Sequence, residues 1–296
     1  MYFIVTPAKN EEENLPSTIR SIERQTIKPI LWVIVDDGST DSTPQIIESA
    51  KKKHEWIHSI HLNESARDLT IHCASVYKIG LDSGIKYCEG NKMEYEYIAT
   101  VDADINLENT YFENLIKEFE KNPNLGIASG ETWSIVGDRV MPAKQRENLP
   151  SGGHRLWRKK CFEETGGFLL THSWDSVLNV KAALRGWKVK RFEEYKAIQR
   201  RMTSSAEGLW KGWRIRGESA YYLDFHPLYV VARAIRYLFE KPYYIGLAYL
   251  VGYVNSYINR KEKSDDEEIR NYYRYTRPQE IKKFYLNRFK KLFIKL

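Results

Sequence analysis

Cysteine is scarce in this chain. Its three residues, Cys73, Cys88 and Cys161, lie far apart and form no C-x-x-C pair. That excludes a disulfide framework and a four-thiolate zinc site, and it suits a reducing compartment. No apolar run approaches the ~20 residues that a bilayer span requires, which excludes a multi-span membrane protein. No basic leader is visible, since Met1 runs directly into Tyr2-Phe3-Ile4-Val5, and no signal peptide is expected. There is no internal repeat and no low-complexity linker. No G-x-G-x-x-G follows the first apolar segment, which disfavours an NAD-dependent enzyme. What is present is 296 residues, 42% hydrophobic and 29% charged, a composition far from that of a disordered tail. The length fits two domains, or one large α/β domain with appended helices.

The net charge of +7 conceals an asymmetry. Residues 1–150 hold 16 Lys/Arg against 24 Asp/Glu, or −8, and residues 151–296 hold 30 against 15, or +15. A basic half of this kind suits an anionic surface, either lipid headgroups or nucleic acid. No recognised nucleic-acid motif accompanies it, so no nucleic-acid partner is expected.

The first 130 residues alternate short apolar runs with amphipathic stretches. Tyr2–Thr6, Ile30–Val35, Trp56–Leu62, Tyr97–Val101 and Leu125–Ser129 read as strands. Helices are expected from Leu15, from Thr43-Pro44, over Leu69–Tyr87 and over Asn109–Glu120. Continuous apolar strands alternating with helices predict an open, mostly parallel sheet covered on both faces. Ligands bind beyond the carboxyl ends of such strands, and there the polar clusters fall. Asp36 and Asp37 follow the second strand, and Asp102 and Asp104 follow the fourth. If the crevices adjoin, four carboxylates converge on one pocket. Clustered carboxylates repel unless a hard cation such as Mg²⁺ or Mn²⁺ intervenes, completed by substrate phosphates. A plain turn is the competing reading of Asp36–Ser39.

Three segments carry a resemblance: Val5-Thr6-Pro7-Ala8-Lys9-Asn10-Glu11, Val35-Asp36-Asp37-Gly38-Ser39-Thr40-Asp41-Ser42-Thr43 and Val101-Asp102-Ala103-Asp104. In order and spacing the chain resembles family 2 glycosyltransferases of the GT-A fold over roughly residues 1–190. The resemblance implies a Rossmann-like α/β sheet flanked by helices, an inverting transfer from a nucleotide sugar (UDP- or GDP-linked), and a divalent cation on the diphosphate. It implies that Thr6, Pro7, Ala8, Asn10 and Glu11 line the nucleoside pocket. Asp37, with Asp36 and Gly38 beside it, would hydrogen-bond base or ribose. Arg67, in the pair Ala66-Arg67, would reach base or phosphate. Asp102 and Ala103 would touch ribose or metal, and Asp104 would ligate Mg²⁺ or Mn²⁺.

The family's general base is an acid shortly after a Gly-Gly-Phe segment. Here Gly166-Gly167-Phe168 precedes His172-Ser173-Trp174-Asp175, making Asp175 the candidate and His172 its rival. The family's usual acidic pair is replaced by Trp174-Asp175, and Asp68-Leu69-Thr70 replaces its usual Asn-x-Gly. Gly152, Gly153, His154 and Arg155 fall where the acceptor side would lie, a Gly pair beside cations that could seat an anion or simply turn. With His172 and Trp174 these are the acceptor-side candidates. Gln199-Arg200-Arg201-Met202 lacks the Q-x-x-R-W of processive members, which points away from a polymerase.

The division expected is a catalytic domain over 1–220, with a nucleotide-binding half (1–110) and an acceptor half (111–220), then a basic, Tyr-rich helical extension over 221–296. Within that extension Tyr243–Ile258 is the most apolar stretch, with Tyr249, Tyr253 and Tyr257 forming one stripe. Pro278–Leu296 reads as a basic amphipathic helix carrying Ile281, Tyr285, Phe289, Leu292 and Leu296 on one side. Both suit an anionic membrane surface, which implies a peripheral protein at the cytoplasmic face; packing on the catalytic domain is the competing reading. Arg214, Arg216, Arg233 and Arg236 could hold a lipid phosphate. The acceptor expected is a hydroxyl of a lipid-linked or membrane-proximal glycan. A polyprenyl-phosphate acceptor, needing no base, and a non-catalytic nucleotide-sugar or nucleic-acid binder on the same scaffold are the alternatives.

Overall fold

A computed structural model describes residues 1–63, 71–136, 139–143, 148–200, 208–283 and 286. It falls into two units, Met1–Met202 and Thr203–Leu296.

The first unit is built on one nine-stranded sheet. Its amino half runs β1 (Tyr2–Ala8), α1 (Leu15–Glu23), β2 (Leu31–Asp36), α2 (Thr43–Lys53), β3 (Ile57–His61), α3 (Ile71–Gly90) and β4 (Tyr97–Val101). These strands pair in parallel in the order β3-β2-β1-β4, as continuous apolar runs with helical crossovers demand. Successive residues of β1 point to opposite faces. Tyr2, Ile4 and Ala8 join Leu15, Ile19, Ile47, Phe112 and Phe119. Phe3 and Val5 join Val76, Leu81, Phe162 and Leu178 on the other side. Helices therefore cover both faces, as expected.

The carboxyl half is less regular. It adds β5 (Ile105–Leu107), α4 (Tyr111–Lys121), β6 (Leu125–Val136), β7 (Arg139–Pro142), β8 (His154–Arg158), α5 (Lys159–Glu164), α6 (Trp174–Leu184) and β9 (Lys188–Gln199). Here the sheet turns mixed. β8 lies antiparallel between β4 and β6, and β9 runs parallel to β6 but antiparallel to β5. The mostly parallel expectation therefore describes only the first half.

Inside this half a polar network replaces apolar packing. His154 and Tyr111 are fully buried. The Tyr111 hydroxyl lies 2.7 Å from His154 Nδ1 and accepts the Gly130 N–H at 2.7 Å, and His154 Nε2 lies 2.7 Å from Thr132 Oγ1. Every polar atom of the imidazole is thereby satisfied, as burial requires.

The second unit is helical: α7 (Leu209–Tyr222), α8 (Pro227–Tyr237), α9 (Ile245–Ile258) and α10 (Glu267–Asn271), followed by a π-turn over Tyr272–Thr276 and further helix over 277–283. α7 and α9 cross at glycines. A Cβ at Gly217 would overlap the Tyr249 carbonyl, and one at Gly252 the Arg214 carbonyl. The tyrosine stripe expected along α9 does not face outward as a unit. Tyr249 is buried against Tyr237 (ring centroids 5.6 Å apart), and Tyr253 donates its hydroxyl to the Phe225 carbonyl at 3.2 Å. Only Tyr257 is exposed. At ~100° per residue a spacing of four advances ~40° each time, so the stripe winds from the buried face to the outer one. Of the four arginines, three gather around Tyr237: Arg233 donates to its hydroxyl at 2.9 Å, Arg236 lies over its ring, and Arg216 lies over the adjoining Trp213 ring. Arg214 pairs with Glu218 at 3.5 Å and Arg236 also with Glu240 at 4.0 Å. Of the expected Pro278–Leu296 helix, residues 284, 285 and 287–296 lie outside the described residues. Among those described, no helix is long and apolar enough to cross a membrane.

Burial holds the His154 imidazole down to about 3, with the neighbouring Arg155 charge adding to the effect. The folded chain therefore leaves His154 neutral where an unfolded chain's histidine, with a pKa near ~6.5, takes up a proton. Its contribution to stability is complete above ~6.5 and is lost as the pH falls from there. Melting temperatures measured from about pH 7 down to about pH 5 should fall, and His154→Gln should flatten the slope by up to about 1.4 kcal/mol per pH unit. An unchanged slope would show that His154 is not the group being held neutral.

Candidate active site

The carboxyl ends of β2, β1 and β4 lie side by side, and the candidate residues sit on the loops that leave them. After β2, Asp36 and Asp37 are both buried. Asp36 Oδ1 accepts the Ser39 N–H at 3.1 Å, and Oδ2 lies 3.2 Å from His61 Nδ1. Gly38, at φ +64, makes the turn. Asp37 is met by His72 and Lys9. His72 Nε2 lies 2.9 and 3.0 Å from its two carboxylate oxygens, and Lys9 Nζ lies 3.8 Å from Oδ2 while donating to the Asp37 carbonyl at 2.6 Å. Asn10, at φ +51, is tied to the same turn, donating its N–H to Ser39 Oγ at 2.9 Å and accepting the Thr40 N–H at 2.8 Å. Glu11 is buried and accepts from Asn14 Nδ2 at 2.9 Å. Pro7 is half-buried and Ala8 buried at the end of β1. Thr6 points away, fully buried beneath the sheet, where its hydroxyl accepts from Trp32 Nε1 at 2.9 Å.

After β4, Asp102 accepts a hydrogen bond from the Tyr77 hydroxyl. Tyr77 is itself buried. Burial, reinforced by the Asp102 charge, pushes the phenol well above its usual range, so it stays a donor. Ala103 is buried, and its carbonyl accepts from Thr18 Oγ1 at 2.7 Å. Asp104 is also buried; Gln199 Nε2 lies 3.5 Å from its Oδ2, and its carbonyl accepts the Arg200 N–H at 3.0 Å. The four aspartates do not form the single cluster expected. β1 separates β2 from β4, which is two strand spacings or ~10 Å. Among the described residues no three His, Cys, Asp or Glu side chains converge as a metal site. Arg67 lies outside the described residues.

The acceptor-side candidates divide sharply. Gly153 packs against Asp102: a Cβ there would overlap the carboxylate, and the Gly153 carbonyl accepts the Asp102 N–H at 2.8 Å. A Cβ on neighbouring Gly152 would stand 3.0 Å from the Asp175 Cβ. The Gly pair thus spans from the strand-end aspartate to the first turn of α6. His154 and Arg155 are not surface cations that could seat an anion, because both are fully buried. Arg155 works as a strut. It donates to the carbonyls of Ser151 (2.7 Å), Pro150 (2.8 Å) and Asp175 (3.2 Å), and its guanidinium carbon lies 5.2 Å from both the Trp157 and Trp174 rings. Burial lowers its pKa to about 10, which leaves it charged at neutral pH. Trp174 is buried against Tyr77 and Phe168, with centroids at 4.9 and 4.8 Å. Asp175 is half-buried in the first turn of α6, entered through Ser173 at φ +51, and His172 is half-buried just before it.

The model of the family described as glycosyl transferase family 2 matches residues 3–174, more than half of the chain. The chain belongs to glycosyl transferase family 2. The match to the family ends at Trp174, one residue before Asp175. Curated relatives include the poly-beta-1,6-N-acetyl-D-glucosamine synthases of Staphylococcus epidermidis (26% identical, covering 82% of this chain and 61% of the relative) and of Staphylococcus aureus (23%, covering 75% and 58%). The chain spans about three fifths of the length of these relatives. Solved structures with the same fold include a mannosyltransferase from Pyrobaculum calidifontis in complex with GDP-Man and Mn²⁺ (TM-score 0.55, 15% identical, 87% of this chain and 75% of that one). Another is S. aureus TarS 1-349 in complex with UDP-GlcNAc (TM-score 0.52, 15%, 87% and 72%). The fold is GT-A, the one expected of the family.

Motif reading alone did not reach Tyr77, His72, Lys9 or Gln199 as neighbours of the aspartates. Tyr77 and His72 stand on α3, whose residues read only as helix. Gln199 lies in a stretch that sequence comparison weighs for a different signature.

The Gly153 contact leaves no room for a side chain. Gly153→Ala should cost about 1–3 kcal/mol by overpacking against Asp102, measured by denaturant unfolding. Gly90→Ala, where nothing stands within 4 Å of the added methyl, is the control and should not destabilise. Equal stability of the two variants would mean that Gly153 and Asp102 are not in contact.

Proposed function

We propose that the chain is an inverting glycosyltransferase that moves a sugar from a nucleotide-sugar donor to a hydroxyl of a lipid-linked or membrane-proximal glycan. The observation that carries this reading is the Gly152-Gly153 span, which sets Asp102 and Asp175 on neighbouring positions of one site. Donor and acceptor chemistry then meet there. On this reading Asp37, Asp36, Gly38, Asn10 and Glu11 hold the nucleoside. UDP and GDP remain the candidate nucleotides, by analogy with the structural neighbours' ligands.

Asp102 and Asp104 would hold a divalent cation. Two hard oxygen donors completed by donor phosphates are the usual mode for Mg²⁺, and the strand-end carboxylates Asp102 and Asp104 are donors of that kind. The bound ion would neutralise charge developing on the diphosphate. Tyr77 would fix the orientation of the Asp102 carboxylate by donating to its Oδ1. The acceptor hydroxyl oxygen attacks the anomeric carbon as the bond to the diphosphate breaks. Its proton passes to the Asp175 carboxylate, and the nucleoside diphosphate departs. Gly152 borders that proton acceptor, and His172 precedes it by three residues.

A polyprenyl-phosphate acceptor would need no base, so the Asp175→Asn variant separates the two. Hydroxyl transfer should lose about 10²–10⁴-fold in kcat with donor binding intact; a loss below tenfold would favour the phosphate acceptor. Met202 and Thr203, where the Q-x-x-R-W of processive members has arginine and tryptophan, support a single transfer, and the relatives' names support a polymer. Product length decides between them.

Binding should require the cation and run through Asp104. Titrating UDP or GDP into Asp104→Asn with and without Mn²⁺ should show weakened binding that no longer responds to metal. If affinity and metal response match the parent, Asp104 is not a ligand.

A further inference from the structure

The second unit carries a surface that its own packing does not explain. α9 buries Ile245, Gly246, Ala248, Tyr249, Gly252 and Ser256. Its opposite side exposes Leu247, Val251, Val254 and Ile258, spaced four, three and four apart. One face of a helix is thus aliphatic and bare. α8 repeats the pattern: Val230, Ala234 and Tyr237 face inward, while Leu228, Val231 and Ile235 are exposed. Phe239, just beyond α8, is 81% exposed. Isolated exposed aliphatics are normal on any protein surface, but continuous stripes on two adjacent helices are not.

What could cover them is narrowed by charge. α9 has no charged residue in its fourteen positions. Around the stripes the balance is basic: residues 208–261 hold 8 Lys/Arg against 3 Asp/Glu, with Arg236, Lys241, Arg260 and Lys261 at the helix ends. Exposed Tyr243, Tyr244 and Tyr257 stand at the two ends of α9, the placement that suits amphipathic rings at a lipid–water boundary. A second copy docked face to face would bring like-charged rims together; an anionic lipid surface would not. Fourteen helical residues measure ~21 Å, short of the ~30 Å hydrocarbon core, so the helix lies on the bilayer and does not cross it.

We propose that the exposed aliphatic faces of α8 and α9 form an interfacial docking surface for an anionic membrane. This names the partner behind the membrane-proximal acceptor reading and rests on it only for its biological sense, because lipid binding and nucleotide binding are read separately. Full-length protein should float with vesicles of phosphatidylcholine and phosphatidylglycerol, less so as salt rises, and poorly with phosphatidylcholine alone. The variant Leu228→Gln/Ile235→Gln/Leu247→Gln/Val254→Gln, all at exposed positions, should keep its circular dichroism and its nucleotide binding but lose about tenfold or more of the floated fraction. Lys241→Gln/Arg260→Gln, which disturbs no packed residue, should weaken flotation with the anionic vesicles only. The proposal is overturned if the parent ignores both vesicle types, or if either variant floats like the parent. It is equally overturned if light scattering shows a dimer that the fourfold variant dissociates and that vesicles leave intact. Loss of nucleotide binding in the parent would instead sink the glycosyltransferase reading and leave this surface standing.

Discussion

The approach of the Gly152-Gly153 backbone to two aspartates governs how the first unit is assembled. Asp102 belongs to the loop after β4 and Asp175 to the start of α6, seventy-three residues apart in sequence. With no side chain at either glycine, the backbone enters β8 against the Asp102 carboxylate and beside the Asp175 Cβ. The antiparallel pairing of β8 with β4 then follows directly, since Thr100 donates its hydroxyl to the Gly152 carbonyl at 2.9 Å and Asp102 its N–H to Gly153. A parallel strand in that position would have needed a crossover and would have delivered a different end to the site.

Holding that backbone in place requires polar groups inside the core. Arg155 satisfies three carbonyls, of Pro150, Ser151 and Asp175. A cation without a carboxylate in direct contact is costly to bury, and here the cost is met by those carbonyls and by the faces of Trp157 and Trp174. His154 on the adjacent position points to the opposite face, where burial holds it neutral and Tyr111 and Thr132 take up its ring nitrogens. Two residues that look like an anion seat in sequence are therefore internal bracing of the sheet around β8. Alternation along a strand sends both inward, one to each face of a covered sheet.

This marks the limit of what a linear reading reaches. The strands β1, β2 and β4 are continuous apolar runs and their helices carry a 3.6 period, so order, faces and the position of the aspartates were all legible. Boundaries there shifted by at most three residues, as for β1, which runs on to Ala8, whereas β6 runs seven residues past the expected Ser129. What was not legible depends on partners distant in sequence. Four strand-end carboxylates read as one cluster because nothing in the sequence says that β1 stands between β2 and β4. Thr6 sits in a motif segment yet faces Trp32, because position parity on β1 decides its side. Tyr249 belongs to an outward-looking stripe until α7 packs across it at Gly252. In each case the residue type was read correctly and its surroundings were not.

The departure at Trp174-Asp175 has a physical reading in the same terms. The family more often places two acids there. Position 174 is enclosed by Tyr77, Phe168 and the Arg155 guanidinium, with ring centroids under 5 Å for both aromatics. An acid at that position would be desolvated among rings and would compete with Asp175 for the Arg155 charge. Tryptophan instead fills the space, and through Tyr77 it packs directly on the group that holds Asp102. One carboxylate, Asp175, is left at the head of α6, beside the Gly pair. The aromatic cluster links the head of α6 to the strand-end aspartate, through the Trp174 contact with Tyr77 and the Tyr77 hydrogen bond to Asp102.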